Sequence, residues 1–307
     1  MSLSPLYVDV ADFGPHPPKD RDYYFRKLRE RYDTQITTAP DLLIYGHGGD
    51  SHRLYTCRKL FHSCENLGPD FEECDYAITC KHLDDPRNLR VPYYVEETVA
   101  ADLVRQPGEW ESWKPRKTRF CAFASTYRNA KTKHRWNFFE KLSRYKKVDS
   151  IGRADNNIGE LIPFDTPLFV KFLHPYKFCM AFENQSAPGY VTEKITRAMR
   201  ARCIPIYYGC PRVVEEFNPQ SFLNYHDFKS EEALIERITE IDRDDRLFEQ
   251  YFSEPYFHSN EPNIYFEEKR MLDFLDKVVQ DKTPPRDRRH ALLGRWKLLR
   301  RLKSFAK

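Results

Sequence analysis

The chain has 307 residues, 40% hydrophobic and 31% charged, with 22 Phe and 19 Tyr; it is too long for one small core and too aromatic for extended disorder. No apolar run reaches the roughly 18 residues of a membrane span. Net charge is +4, but residues 281–307 hold ten Lys/Arg against two Asp, a net of +8, so the first 280 residues carry −4; a body without a basic excess argues against a nucleic-acid partner.

In chain order, LYVDVADF reads as a strand and DRDYYFRKLRERY as a helix by its charge spacing. DLLIYGH, RKLFHSCEN, DYAITC and LRVPYYV read as further strands. Residues 105–117, RQPGEWESWKPRK, carry two prolines and a glycine without apolar periodicity, and read as an interdomain linker. A second alternation follows: the strand TRFCAFAS, the amphipathic helix HRWNFFEKLSRY, KVDSIGR, the helical TPLFVKFLHPY, the strand KFCMAFE, the helix TEKITRAMRAR and the strand CIPIYYG. PRVVEEFNPQSFLNYHDF and SEEALIERITEI complete it. The expected fold class is α/β, with parallel sheets in two Rossmann-like domains, residues 1–112 and 113–280, and a tail of residues 281–307. In that tail Leu292, Leu293, Trp296, Leu299 and Leu302 share one helical stripe among Lys and Arg. A basic amphipathic helix of this kind suits peripheral contact with a membrane surface.

The opening MSLSPLYVDV has neither the basic nor the apolar region of a secretory signal. Reduced cysteines and a cytoplasmic location, on the inner membrane face, are therefore expected. None of the eight cysteines forms Cys-x-x-Cys. Cys121, Cys179 and Cys203 lie in or beside apolar runs, where a thiol behaves as a small hydrophobe. Cys64, Cys74, Cys80 and His82 match no compact zinc spacing. Asp20-Arg-Asp22 and Asp242-Arg-Asp244 could in principle hold a divalent ion, but both lie in charged helical text that reads as solvated faces. No essential metal is expected; stimulation by Mn²⁺ or Mg²⁺ stays open.

The stretch FENQSAPGYVTEKI carries the chemistry. Its apolar run ends at Phe182, Pro188 and Gly189 mark a turn, and a helix begins near Val191 or Thr192. Glu193 and Lys194 fall in the first helical turn, where free N–H groups favour an anion. Lys194 can meet a phosphate oxygen. Glu193, an acceptor, suits the vicinal hydroxyls of a ribose. A first-turn carboxylate is also common for helix stability alone.

FENQSAPGYVTEKITRA, followed by CIPIYYG and NPQSFLNYHDF, resembles the donor-binding signature of the α-1,3/1,4-fucosyltransferases. The resemblance covers residues 176–228 closely and 61–95 and 120–144 more weakly. It lies nearest the bacterial members, which end in a basic amphipathic tail. It implies a GT-B fold with an N-terminal acceptor domain, a C-terminal donor domain and a cleft between them. It implies GDP-fucose as donor, with inversion at the fucose anomeric carbon. Carried over by matching text, Glu193 binds the ribose hydroxyls and Lys194 the diphosphate or fucose, while Tyr190 and Asn184 line the donor pocket. Arg135 contacts the diphosphate. Glu65, in a stretch resembling the family's strand ending in Glu-Asn, is the catalytic base, with Asn66 orienting it. A glutamate in water is ionised at neutral pH, as a base for a sugar hydroxyl must be.

The expected function is transfer of fucose to a GlcNAc or Glc hydroxyl of an oligosaccharide or lipid-linked glycan acceptor, in α-1,3 or α-1,4 linkage. The alternatives are a GT-B transferase using another nucleotide sugar, or a non-catalytic glycan- or membrane-binding protein on a decayed transferase fold. Joint retention of Glu65, Glu193 and Lys194 argues against decay. The acceptor-binding residues are not readable, although loops such as HGGDSHRLYTC are where they are expected.

Overall fold

The computed structural model describes residues 3–13, 22–160, 162–163 and 167–286. The chain forms two compact units. One holds the described residues up to Val91 and from Glu267 to Arg286; the other holds those of Pro92–Phe266.

The first unit contains β1 (Ser4–Ala11), α1 (Tyr23–Leu28), β2 (Tyr32–Ile36), β3 (Leu42–Tyr45), β4 (Arg58–Ser63), β5 (Tyr76–Thr79) and β6 (Asn88–Arg90). The strands are all parallel, in the order β2-β1-β3-β4-β5-β6. Leu42–Tyr45 and Arg58–Ser63 are buried throughout, as strands covered on both faces must be. Two sequence expectations change here. The helix expected over DRDYYFRKLRERY stops at Leu28, and Tyr32–Ile36 is a strand. It is an edge strand with only Thr34 buried, so it leaves no apolar run to read. LRVPYYV is strand only at its start, and Tyr94–Glu97 is helical.

The second unit contains α2 (Tyr94–Glu97), α3 (Glu109–Trp113), β7 (Arg119–Phe123), α4 (Lys133–Tyr145), β8 (Val148–Ser150), α5 (Pro167–Leu173), β9 (Tyr176–Phe182), α6 (Glu193–Arg200), β10 (Ile204–Tyr208), β11 (Leu223–Asn224), α7 (Glu231–Arg243) and α8 (Asp245–Ser253). Its sheet, also all parallel, runs β11-β10-β9-β7-β8. One face carries Trp110, Trp136, Phe138, Leu142, Ile238 and Phe248 from the helices, and the other carries Phe169, Leu173 and Ala198. Residues 105–117 are therefore not a linker: they contain α3, whose Trp110 sits in this core. The boundary falls after Val91 instead. The last described helix, α9 (Glu268–Gln280), returns to the first unit, where Phe274 meets Tyr76 edge-on.

Beyond α9, residues 281–286 are clamped to the first unit. Arg58 donates to the carbonyls of Asp281 (2.9 Å) and Thr283 (2.7 Å), and Asp75 accepts the Arg286 N–H (2.8 Å) and pairs with Arg58 (3.3 Å). The amphipathic stripe expected in the tail lies outside the described residues.

Lys117 is a buried ammonium that fixes α6. Its Nζ donates to the carbonyls of His174 (2.9 Å) and Ala201 (2.8 Å), at the carboxyl ends of α5 and α6. Burial lowers its pKa to about 8, from the usual 10.5. Between those values the unfolded chain keeps a proton that the folded chain has released. Stability attributable to this group therefore rises with pH through that window. Urea midpoints measured from pH 7 to 10 should show this gain, and Lys117→Met should lack it; parallel curves would remove the assignment.

Candidate active site

The second sheet reverses direction between β7 and β9. The chain steps from β7 out to β8, then returns to the other side of β7 for β9, β10 and β11. Ligands in open parallel sheets sit outside the carboxyl ends of the strands at such a reversal. A cavity of about 830 Å³ opens at this point, within the usual range for small-ligand sites. Residues 124–132, after β7, form one wall; Asn184 and Gln185, after β9, and Glu193, Lys194 and Arg197 of α6 form another.

The wall after β7 is built on backbone packing. A Cβ on Gly152 would lie 1.8 Å from the Ser125 carbonyl oxygen, so only glycine lets the two loops approach this closely. The Tyr127 carbonyl accepts from Ser125 Oγ (2.9 Å), Thr132 Oγ1 (3.1 Å) and Trp136 Nε1 (3.0 Å). Asn129 and Thr132 form a reciprocal capping box that leads into α4.

The other wall turns on Glu183, which is fully buried. Its N–H continues the sheet ladder to the Tyr208 carbonyl (2.7 Å). Its carboxylate accepts the Thr192 N–H (2.7 Å), the Thr192 hydroxyl (2.8 Å) and Lys194 Nζ (2.9 Å). The end of β9 is thus tied to the start of α6 by a buried carboxylate, since Thr192 is the residue before the helix and does not cap it with its own side chain. The loop between them turns at Gly189, with φ +82°. At the far end of α6, Arg202 stops the helix in the left-handed conformation (φ +57°) and forms a two-pronged pair with Glu109 at 2.9 and 2.8 Å. Lys117 acts at this same end, so α6 is held at its start by Glu183 and at its finish by Arg202 and Lys117.

Charges on this wall support one another. Burial disfavours the Lys194 ammonium, but Glu183 and Glu193 outweigh it and raise its pKa. Burial likewise works against the Glu193 carboxylate, while Lys194 and Arg197 hold its pKa below the usual range. Burial pushes Glu183 up, against the pull of Lys194. Arg197 links Glu193 (3.2 Å) to Glu97 (2.9 Å). The result is a cationic and an anionic side chain, both fixed and both on the cavity wall.

The other expected site residues fall as follows. Arg135, on α4, lines the cavity and is buried; its Nε donates to the Glu183 carbonyl (3.1 Å), and its guanidinium also reaches Asn184 Oδ1. Tyr190 was expected on the pocket wall, but it is 1% exposed and stands behind it, its hydroxyl accepting from Asn184 Nδ2 (3.3 Å). Glu65 belongs to the first unit, two residues past the end of β4, its N–H bonded to Ser63 Oγ (3.2 Å). Asn66 accepts from Lys81. Cys121, Cys179 and Cys203 are buried as expected. Asp242, expected on a solvated face, is instead buried against Tyr145 and Lys146, while Asp244 caps α8; Asp20 lies outside the described residues. Among the described residues, no group of His, Cys, Asp and Glu is placed to hold a metal ion. Sequence reasoning missed Glu183 and Gly152. A lone glutamate closing an apolar run, with a lysine in the next helix, was the available signal for Glu183.

The profile described as glycosyltransferase family 10 (fucosyltransferase), C-terminal part, matches residues 113–276. The chain belongs to glycosyltransferase family 10, the fucosyltransferases. The profile of the α-(1,3)-fucosyltransferase FucT N-terminal domain matches residues 8–96. The α-(1,3)-fucosyltransferase FucT of Helicobacter pylori is 27% identical over 92% of this chain and 67% of its own length. The 3-galactosyl-N-acetylglucosaminide 4-α-L-fucosyltransferase FUT3 of Bos taurus is 30% identical over 57% of this chain and 49% of its own. The chain thus spans two-thirds of the bacterial relative and half of the bovine one. A crystal structure of an α1,3-fucosyltransferase with GDP-fucose superposes with a TM-score of 0.76 at 25% identity, covering 92% of this chain and 93% of that one. The fold of this family 10 member is GT-B, with two successive parallel-sheet α/β units.

Proposed function

We propose that this chain transfers L-fucose from GDP-β-L-fucose to a GlcNAc or Glc hydroxyl of a glycan, in α-1,3 or α-1,4 linkage and with inversion. The observation that carries the reading is the fixed pair Glu193 and Lys194 on the wall of a cavity at the sheet's reversal point. Glu193 accepts from the ribose hydroxyls of GDP. Lys194 and Arg135 face the diphosphate, and Asn184 is held for the donor by Arg135 and Tyr190. In a single displacement the acceptor oxygen attacks the anomeric carbon as its bond to the phosphate oxygen breaks. GDP leaves with the electron pair, and the acceptor proton passes to Glu65. Lys194 and Arg135 stabilise the charge that develops on the leaving diphosphate.

GDP is expected to raise the melting temperature, because a ligand that binds only the folded chain must stabilise it; at 100 times Kd the gain is about 2.7 kcal/mol. Glu193→Ala should abolish most of that shift. A wild-type chain indifferent to millimolar GDP would overturn the donor assignment. Linkage analysis of the product then decides between α-1,3 and α-1,4.

A further inference from the structure

The first sheet has a reversal point of its own. The chain runs from β1 out to β2 and returns to the other side of β1 for β3. At the carboxyl ends of β1 and β3 stands a polar cluster that the donor site does not use. Asp12, just past β1, has φ +60°, an unusual conformation for a residue other than glycine. Its carboxylate accepts the N–H of Ser51 (3.1 Å), the hydroxyl of Ser51, the N–H of His52 (2.8 Å) and His52 Nδ1 (2.7 Å). His52 is 5% exposed, stacks on Tyr45 at 4.2 Å, and turns its other nitrogen to Glu73 (3.2 Å). Burial works against the Asp12 carboxylate, but the donors of Ser51 and His52 hold its pKa below the usual range.

This cluster shapes residues 46–54 rather than merely neighbouring them. The Gly46 N–H bonds the Ala11 carbonyl (3.0 Å). A Cβ on Gly46 would lie 2.7 Å from the Asp12 carbonyl, and one on Gly49 would lie 2.6 Å from Asp12 Oδ1. Tyr55 closes the loop onto buried Asp9 at 2.7 Å. The loop is therefore wrapped on a buried charged hub, yet His47 to Ser51 are exposed. Natural chains place such buried charge where a fixed geometry is needed.

His47 is where that geometry leads. The Glu65 N–H donates to Ser63 Oγ (3.2 Å), and Ser63 Oγ lies 3.3 Å from His47 Nδ1. In the tautomer in which the Ser63 hydroxyl donates to Nδ1, the ring N–H is on Nε2. Among the described residues Nε2 has no hydrogen-bond partner. His47 is exposed, and its ring is tied through Ser63 Oγ to the backbone N–H of the proposed base.

We infer that residues 46–54 are an acceptor-recognition loop in which His47 Nε2 donates to a hydroxyl of the acceptor glycan, with Asp12, His52 and Glu73 as positioning residues. The inference rests on the transferase reading above. The test uses the full chain, with GDP-fucose and a panel of GlcNAc- and Glc-ended oligosaccharides, including free N-acetyllactosamine. His47→Ala should raise the acceptor KM about tenfold, the loss of one hydrogen bond. The GDP-fucose KM, the slow hydrolysis of GDP-fucose without acceptor and the GDP-induced melting shift should stay unchanged. His47→Gln, which keeps a donor, should recover most of the loss. His52→Asn should raise the acceptor KM by a similar factor, and the double variant should be no worse than either single one, because both act through one contact. Unchanged acceptor KM in His47→Ala, parallel loss of donor binding, or additive effects would overturn the inference while leaving the transferase reading intact. Wild type that hydrolyses GDP-fucose but transfers to no member of the panel overturns the acceptor class. Wild type that turns over no GDP-fucose at all overturns the transferase reading, and this inference with it.

Discussion

Glu183→Gln should lose both stability and donor binding, although the substitution changes almost no volume. The carboxylate is fully buried and accepts three hydrogen bonds, one of them from an ammonium. An amide supplies one acceptor oxygen and turns an NH₂ group toward Thr192 or Lys194, where donors already point. Removing one partner of a buried ion pair costs about 3–5 kcal/mol. Lys194 keeps 27% of its side-chain surface exposed, so water compensates in part and about 3 kcal/mol is the expected loss. The denaturant midpoint should fall accordingly. GDP affinity should fall with it, because Lys194 and the start of α6 lose their anchor. Pairing Glu183→Gln with Lys194→Met tests the link: their effects should be strongly non-additive. Unchanged stability and GDP affinity in Glu183→Gln would show that the staple is incidental.

The second large effect is on chemistry alone. Glu65→Gln should lower kcat by about 10²- to 10⁴-fold, the usual contribution of a positioned base. GDP binding and the melting temperature should change little, since the proposed role of Glu65 is to take the acceptor proton and not to hold the nucleotide. The measurement is steady-state transfer beside GDP calorimetry. Transfer at near wild-type rate would remove Glu65 from the reaction and direct attention to another carboxylate such as Glu72.

The two outcomes would separate what each part of the sequence can tell. The strand, turn and helix around residues 182–195 were readable because they are contiguous: an apolar run, a Pro-Gly turn and a charged first turn appear in order. Arg135 was readable only through resemblance, because its partners, Glu183 and Asn184, lie 48 and 49 residues away. Glu183 itself was hidden for the same reason. A buried carboxylate is defined by what surrounds it, and Thr192 and Lys194 look like ordinary helix-start residues until the strand end is placed against them. Gly152 was equally silent, since its role is the space it leaves for the Ser125 backbone.

The domain reading shows a different limit. Residues 105–117 look like a linker because proline and glycine punctuate them, yet Trp110 packs into the core of the second unit. Residue type reports local turn chemistry, whereas membership of a core depends on which surface a lone aromatic meets. Helix α9 makes the same point. Its apolar stripe of Met271, Leu272, Phe274, Leu275 and Val278 shows that one face is buried. Periodicity says nothing about which sheet that face covers, and it covers the earlier one.

The clamp on residues 281–286 bears on how this chain can be shortened. Arg58 is 7% exposed and Asp75 6% exposed, and both are partly satisfied by backbone that follows α9. A chain cut after Gln280 would strip Arg58 of two carbonyl acceptors and Asp75 of an N–H donor, leaving buried charge under-solvated. A chain cut after Arg286 removes most of the basic tail and keeps every one of those bonds. The six residues after α9 therefore belong with the globular body, and the basic segment can be deleted, swapped or tagged only beyond them.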